Sequence, residues 1–232
     1  MKLVITQPAY IPWLGFFDKI MQSDCVVLLD TVQMDWSSKT KFTNRNRIRS
    51  PHGTQWLTIP VLSKGDNRFL PIRDLAIESS SWVRKHLQAM RLNYAKAPFF
   101  NEYFDEFGGI LSSKEWSCLG GVLEPTLDWF FGLWGLRSKI IWAHDIEVSG
   151  EKAELILNIC KKMGATQYLS GPFGRSYLDE GVFIENGIEL LYHDFEHPVY
   201  SQGGADFVPY LSSLDALFFL GRTGVEEMLR SN

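Results

Sequence analysis

The chain is poor in cysteine, in net charge and in long apolar runs, and each shortage narrows what it can be. Three cysteines in 232 residues, Cys25, Cys118 and Cys160, form no CxxC pair and are odd in number. Neither a disulfide framework nor a zinc site is indicated. Cys25 lies in an apolar run and reads as a buried core thiol. A net charge of −4 supplies no global basic field and argues against general nucleic-acid binding. No stretch approaches the roughly 18 apolar residues needed to span a bilayer. Met1 to Pro8 is too short an apolar run for a signal peptide and lacks a cleavage site, so a cytoplasmic protein is expected. The phosphate-binding P-loop and GxGxxG motifs are missing too, as is the serine-hydrolase elbow.

What the chain has in quantity is aromatic side chains: 8 Trp, 8 Tyr and 16 Phe. Most must be core, because a monomer rarely exposes contiguous apolar area beyond a few hundred square ångströms. Any excess would line a binding cleft or the interface of a homodimer.

Hydrophobic patterning predicts an α/β protein. Leu3-Val4-Ile5 reads as a buried first strand stopped by Pro8 and Pro12, which cannot donate to a ladder. Trp13, Phe16, Phe17, Ile20 and Met21 follow at helical spacing, and Cys25 to Leu29 is an unbroken strand-like run ending in Asp30. Strand, loop, helix and strand within about 30 residues make a βαβ unit. Residues 31–55 read as a polar, basic loop with a turn at Ser50-Pro51-His52-Gly53, and Trp56 to Val61 as a strand. Ile72 to Ile77 reads as a further short strand. Helices are expected from Trp82, over Phe99–Phe107 and over Gly121–Leu133. Strands over 140–144, 166–170 and 188–192 enclose helices over 151–163 and 177–186, and a final helix spans 207–221. The expected architecture is a parallel-rich central sheet flanked by helices, nucleotidylyltransferase- or Rossmann-like, in one domain over residues 1–232. A helical insertion is expected at about 80–136.

Candidate functional residues cluster where such a sheet binds ligands, beyond the carboxyl ends of its strands. Gln7 and Tyr10, in the rigid Pro8–Pro12 exit from strand one, are placed to hydrogen-bond a ligand, with Trp13 beside them. Asp30 closes an apolar strand and is a candidate proton acceptor, and Gln33 follows it. The stretch Lys39 to Arg49 carries five cations (Lys39, Lys41, Arg45, Arg47, Arg49), with Asn44 among them. Arginine suits bidentate contact with phosphate or carboxylate. Ser170-Gly171, ahead of Arg175, form a glycine-bearing loop that offers N–H groups to an anion. His197 is a candidate acid or base, with Tyr200 and Gln202 as neighbouring substrate contacts. His193 and His197 lie four apart but flank a loop, so no metal site is expected, nor a flavin.

Several of these pieces, in this order, resemble the WbqC-like family of bacterial proteins. The matching segments are Gln7 to Ile20 (QPAYIPWLGFFDKI), Leu29-Asp30-Thr31-Val32-Gln33, Asn44 to Ile48 with Gln55 to Val61, and Tyr168-Leu169-Ser170-Gly171. Tyr177-Leu178, His197 to Gln202 and Leu211 to Asp215 extend the likeness across nearly the whole chain. Such proteins are encoded among genes for O-antigen and other surface polysaccharides, so the resemblance implies work on nucleotide-linked sugars in lipopolysaccharide assembly. A looser likeness links the first strand and helix to nucleotidylyltransferases and pantothenate synthetase. Those carry H-x-G-H where this chain has Trp13 and Phe16, which argues against ATP cleavage by their route.

Together these features lead to an expected transferase that forms an amide on a nucleotide-linked amino sugar, taking its acyl group from an activated donor. Arg45, Arg47 and Arg175 would hold the diphosphate, Tyr10 and Trp13 would pack on sugar or base, and Asp30 or His197 would take the amine proton. A nucleotidylyltransferase-like or adenylate-forming ligase remains an alternative, as does a non-catalytic nucleotide-sugar-binding accessory protein.

Overall fold

The computed structural model describes residues 1–36, 42–204 and 206–230. Lys39 and Lys41 lie outside the described residues. The chain divides into two compact units. The first comprises Met1–Gln7, Gly15–Thr31 and Leu136–Glu196; the second comprises Pro8–Leu14, Val32–Gly135 and His197–Asn232.

The first unit is built on a parallel sheet of β1 (Lys2–Thr6), β2 (Cys25–Leu28), β5 (Lys139–Trp142), β6 (Gln167–Ser170) and β7 (Glu189–Tyr192). Every pairing is parallel, and the spatial order is β5-β2-β1-β6-β7. Counted along the chain within this sheet, that is 3-2-1-4-5, the doubly wound order of Rossmann-type folds. The α/β expectation holds. Strands covered on both faces need unbroken apolar runs, and β2, Cys-Val-Val-Leu, is buried at all four positions. Leu3, Ile5, Cys25 and Val27 pack on one face against Ile156, Ile159 and Cys160 of α5 (Lys152–Met163) and Phe183 of α6 (Glu180–Glu185). Gly164 closes α5 in the left-handed conformation, with φ 66°, which glycine adopts without Cβ strain. Helix α6 is shorter than the predicted 177–186. Its start is set by Asp179, whose carboxylate accepts from Gly181 N–H, as an N-cap does.

The second unit holds an antiparallel hairpin, β3 (Arg45–Ser50) and β4 (Gly53–Thr58), with helices α2 (Ser81–Tyr94), α3 (Phe100–Ser112), α4 (Leu119–Leu133) and α7 (Ser213–Arg230). The basic stretch predicted as a loop is therefore partly a strand. Its period of two was hidden because one of the inward residues, Asn46, is polar; Asn46 and Ile48 are buried, whereas Arg45, Arg47 and Arg49 are half-buried. The predicted strand over 72–77 is a 3₁₀ turn at Ile72–Asp74, opened by Pro71, followed by isolated antiparallel bridges at Ala76 and Ile77. Helix α7 begins six residues later than predicted and runs on past Gly221, where a left-handed residue breaks it against the Phe99 ring.

Aromatic residues fill the core of this unit: Phe100 stacks on Phe104 at 4.5 Å and meets Phe218 at 5.1 Å, and Phe107 lies 5.1 Å from Trp129. No helix among the described residues is long and apolar enough to cross a membrane.

Helix α4 lies directly on the backbone of the 3₁₀ turn. A Cβ on Gly120 would fall 2.8 Å from the Arg73 carbonyl oxygen and 2.9 Å from its Cα, and backbone cannot step aside as a side-chain tip can. Gly120→Ala is expected to destabilise the protein by about 1–3 kcal/mol through overpacking, read as a lowered urea midpoint at unchanged m-value.

Candidate functional site

Each strand of the parallel sheet hands a polar residue to its carboxyl edge. Gln7 follows β1, Asp30 lies two residues past β2, and His144 two past β5. Ser170 ends β6, and His193 follows β7. In this strand order β1 and β6 are neighbours whose connections leave in opposite directions, so the switch point falls between Gln7 and Ser170-Gly171.

Two carboxylate–histidine pairs form at this edge. Asp30, 1% exposed, accepts from His144 twice: from Nδ1 at 2.5 Å and from the backbone N–H at 3.2 Å. A carboxylate oxygen accepts, so His144 Nδ1 donates to Asp30 and Nε2 is the ring nitrogen left for another partner. The His144 side chain keeps 23% of its surface exposed, and its Nε2 lies 3.6 Å from the exposed Asp145 carboxylate. That second distance is too long for a hydrogen bond and is screened by solvent. Aspartate and histidine also ligate metals, but an ion held by these two atoms would have to displace the Nδ1 proton that bonds them.

The second pair, His193 Nε2 to Asp18 of α1 (Leu14–Met21) at 2.6 Å, is buried at both ends. Gln22 also donates to Asp18, and the His193 backbone N–H donates to the Ser170 carbonyl. This pair fastens helix to strand ends, whereas the first leaves a nitrogen accessible.

Beyond β6, Ser170 is buried and Gly171 opens a 3₁₀ turn over Pro172–Ser176. Gly174 is required there, because a Cβ would collide with the Ser170 hydroxyl. Arg175 is exposed, its guanidinium 4.0 Å from the Tyr192 ring centroid, a cation–π contact that orients it.

Within the second unit the opening loop is held from several sides. Ile11 has φ 40°, a strained value for a β-branched residue. Tyr10 N–H donates to the Phe42 carbonyl, Asn46 donates to the Ile11 carbonyl at 2.7 Å, and Ser213 N–H donates to the Pro12 carbonyl. Tyr10 is fully buried and its hydroxyl meets His86 Nδ1 at 2.9 Å, while His86 Nε2 faces the Thr58 carbonyl at 3.2 Å. Burial raises the Tyr10 phenol well above its usual range and pushes His86 down to about 4. His86 is therefore neutral, with Nε2–H donating to Thr58 and Nδ1 accepting from Tyr10. The Tyr10 hydroxyl predicted for a ligand is thus already engaged.

The remaining predicted residues of this unit divide between an arginine face and an internal network. Arg45 and Arg47 both lie over Trp56, at 4.4 and 5.7 Å from its centroid, and Arg47 Nε is buried without a hydrogen-bond partner. Asn44 donates to the Ile59 carbonyl while its Oδ1 is unpartnered. Trp13 packs edge-on to Tyr210, and Gln33 donates to the Phe69 carbonyl. Tyr200 and Tyr94 both donate to the buried Asp215, and Gln202 receives Arg49. Burial raises the pKa of Asp215. His197 packs among Tyr200, Phe207 and Tyr210 with Nδ1 against the Pro198 carbonyl, and burial lowers its pKa.

Comparison with known sequences matches residues 7–227 to the WbqC-like protein family. The chain belongs to this family. An uncharacterised protein of Mycobacterium tuberculosis strain ATCC 25618 / H37Rv, Rv1507c, is 35% identical over 222 residues, covering 95% of this chain and 94% of that one. No solved structure matches.

Of the residues that sequence reasoning selected in this family member, Gln7, Asp30, Ser170, Gly171 and Arg175 belong to the first unit. Tyr10, Trp13, Gln33, Asn44, Arg45, Arg47, His197, Tyr200 and Gln202 belong to the second. His144 was missed. Its signal was the one that marked Asp30: a polar residue just beyond an apolar strand.

The neutral His86 gives the second unit an acid-sensitive joint. Between pH 6.5 and about 4 the unfolded chain binds a proton that the folded chain refuses, so stability present above pH 6.5 is lost as pH falls through that window. The expected loss is about 3 kcal/mol. His86→Gln, which can still accept from Tyr10 and donate to Thr58, should flatten this share of the pH dependence in urea midpoints measured from pH 7 to 4.

Proposed function

We propose that this protein is a transferase of bacterial surface-polysaccharide biosynthesis that forms an amide on the amino group of a nucleotide-linked amino sugar. The observation that carries the reading is the Asp30–His144 pair, a buried carboxylate gripping a histidine that remains partly exposed. Its place at the carboxyl edge of a 3-2-1-4-5 parallel sheet supports a nucleotide ligand. The polysaccharide setting is what the resemblance to WbqC-like proteins implies, and the family match over residues 7–227 supports it.

In this reading the nucleotide-linked sugar lies over the switch point, in reach of Gln7, Ser170-Gly171 and Arg175. His144 Nε2 takes the proton that the amine must lose as it attacks the acyl carbon of a thioester. The C–N bond forms, the C–S bond breaks, and the proton passes from His144 to the departing thiolate. Asp30 fixes the imidazole tautomer and stabilises the imidazolium formed in between, as a carboxylate behind a histidine does in hydrolases. In the second unit by itself, the Arg45–Trp56–Arg47 face suits a phosphorylated ligand.

Incubation with nucleotide amino sugars and acyl thioesters, followed by mass spectrometry, is expected to show gain of one acyl group. His144→Gln should lower kcat by about 10²- to 10⁴-fold, the usual share of general-base catalysis, while sugar-nucleotide affinity measured by calorimetry stays near wild type. No mass gain together with no nucleotide-sugar binding would sink the proposal. Pyrophosphate release from a nucleoside triphosphate would favour a ligase, and tight binding with His144→Gln fully active in cells would favour an accessory protein.

A further inference from the structure

Helices α2 and α3 pack side by side, so closely that a Cβ on Gly108 would fall 3.3 Å from the Leu87 Cδ2. Their outward faces carry opposite charge. The exposed strip of α2 is Arg84, Lys85, Gln88, Arg91 and Leu92, and this helix contains no acidic residue. The exposed strip of α3 is Asn101, Glu102, Asp105, Glu106 and Gly109, and this helix contains no basic residue. A solvated helix ordinarily mixes both signs, as α5 and α7 do.

Segregation has a cost that the chain does not offset internally. Glu102 stands three and four residues before Asp105 and Glu106, spacings at which like charges on a helix repel. Among the described residues, none of Arg84, Lys85, Arg91, Glu102, Asp105 and Glu106 makes an ion pair, either across the two helices or elsewhere. Arg91 instead lies over the Phe104 ring, 4.9 Å from its centroid. Between the helices runs an open groove of about 810 Å³ whose apolar lining is Val83, Leu87, Phe104 and Leu111. It is too open to enclose a small ligand as binding pockets do. Leu92, 76% exposed, stands in the basic strip that borders it.

A basic strip beside an acidic one is a self-complementary surface. A two-fold axis along the boundary between them lays each strip over its opposite on a second copy, as an isologous contact requires. We propose that the α2–α3 face is the contact surface between two copies of this chain, the basic strip of each protomer facing the acidic strip of the other. Leu92 and the apolar groove supply the dry centre, and the charges form its rim. Helices of 14 and 13 residues are each about 20 Å long, so a face two helices wide reaches only the lower end of interface sizes. The dimer is therefore weak and sensitive to salt. This inference goes beyond the transferase reading and does not depend on it.

Two triple variants of the full chain test it, one with Arg84→Glu, Lys85→Glu and Arg91→Glu, the other with Glu102→Lys, Asp105→Lys and Glu106→Lys. In sedimentation at low salt, wild type is expected to form a concentration-dependent dimer that dissociates as salt rises. Each variant alone should dimerise about 10- to 100-fold more weakly, because both of its strips then carry the same sign. Mixed in equal amounts, the two should form a one-to-one heterodimer, since every strip again meets its opposite; pairing within one chain cannot produce that rescue. Leu92→Glu, a single exposed change, should weaken the wild-type dimer too, and it decides the matter if a triple variant fails to fold by circular dichroism. A wild type that stays monomeric in low salt would overturn the proposal. So would folded triple variants that dimerise as tightly as wild type, a mixture that gains no heterodimer, or a dimer unmoved by Leu92→Glu.

Discussion

A carboxylate that is 1% exposed must be satisfied by the protein around it, and the organisation of the parallel sheet edge follows from how Asp30 meets that demand. Unpaired, such a group would cost several kcal/mol or take up a proton. Here His144 supplies both a ring nitrogen and a backbone N–H. This requires the chain beyond β5 to turn immediately into the short 3₁₀ segment Ala143–Asp145, and it requires β5 to lie beside β2. The interaction that satisfies a buried carboxylate thereby also sets the direction of a partly exposed imidazole.

The same economy governs Asp18 and His193, with a different outcome. There both partners are buried and a second donor, Gln22, reaches the same carboxylate oxygen as His193, so the pair locks α1 onto the strand ends. The contrast between two Asp–His pairs in one unit shows why a residue pairing alone does not identify a catalytic base; accessibility of the far nitrogen decides.

The opening loop shows what a strained backbone needs. Ile11 at φ 40° persists because its neighbours are bonded on all sides by Phe42, Asn46, Ser213 and His86. Asn46 stands in a strand at a buried position where an apolar residue would ordinarily be expected, and this exception is what made β3 read as a loop. A polar inward residue that serves the backbone of another segment is invisible to periodicity. Local pattern likewise misread residues 72–74: buried Ile72 and Leu75 are three apart, which puts them on one side of a 3₁₀ turn but on opposite faces of a strand.

Much of the fold was legible in the residues themselves. Unbroken apolar runs at 3–5 and 25–29 demanded strands buried on both faces, and the polar residues just beyond them, Gln7 and Asp30, with Ser170 at the end of β6, marked the edge where ligands gather. Amphipathic spacing set α5, and Gly164 closed it. Those signals are local, because burial and capping act within a few residues. Partner choice is not local. His144 meets Asp30 across 114 positions and His193 meets Asp18 across 175, and the order in which parallel strands assemble is written in no single segment. The tertiary structure alone decided which histidine faces the buried carboxylate with a nitrogen to spare, because parallel crossovers bring together strand ends that the sequence holds far apart.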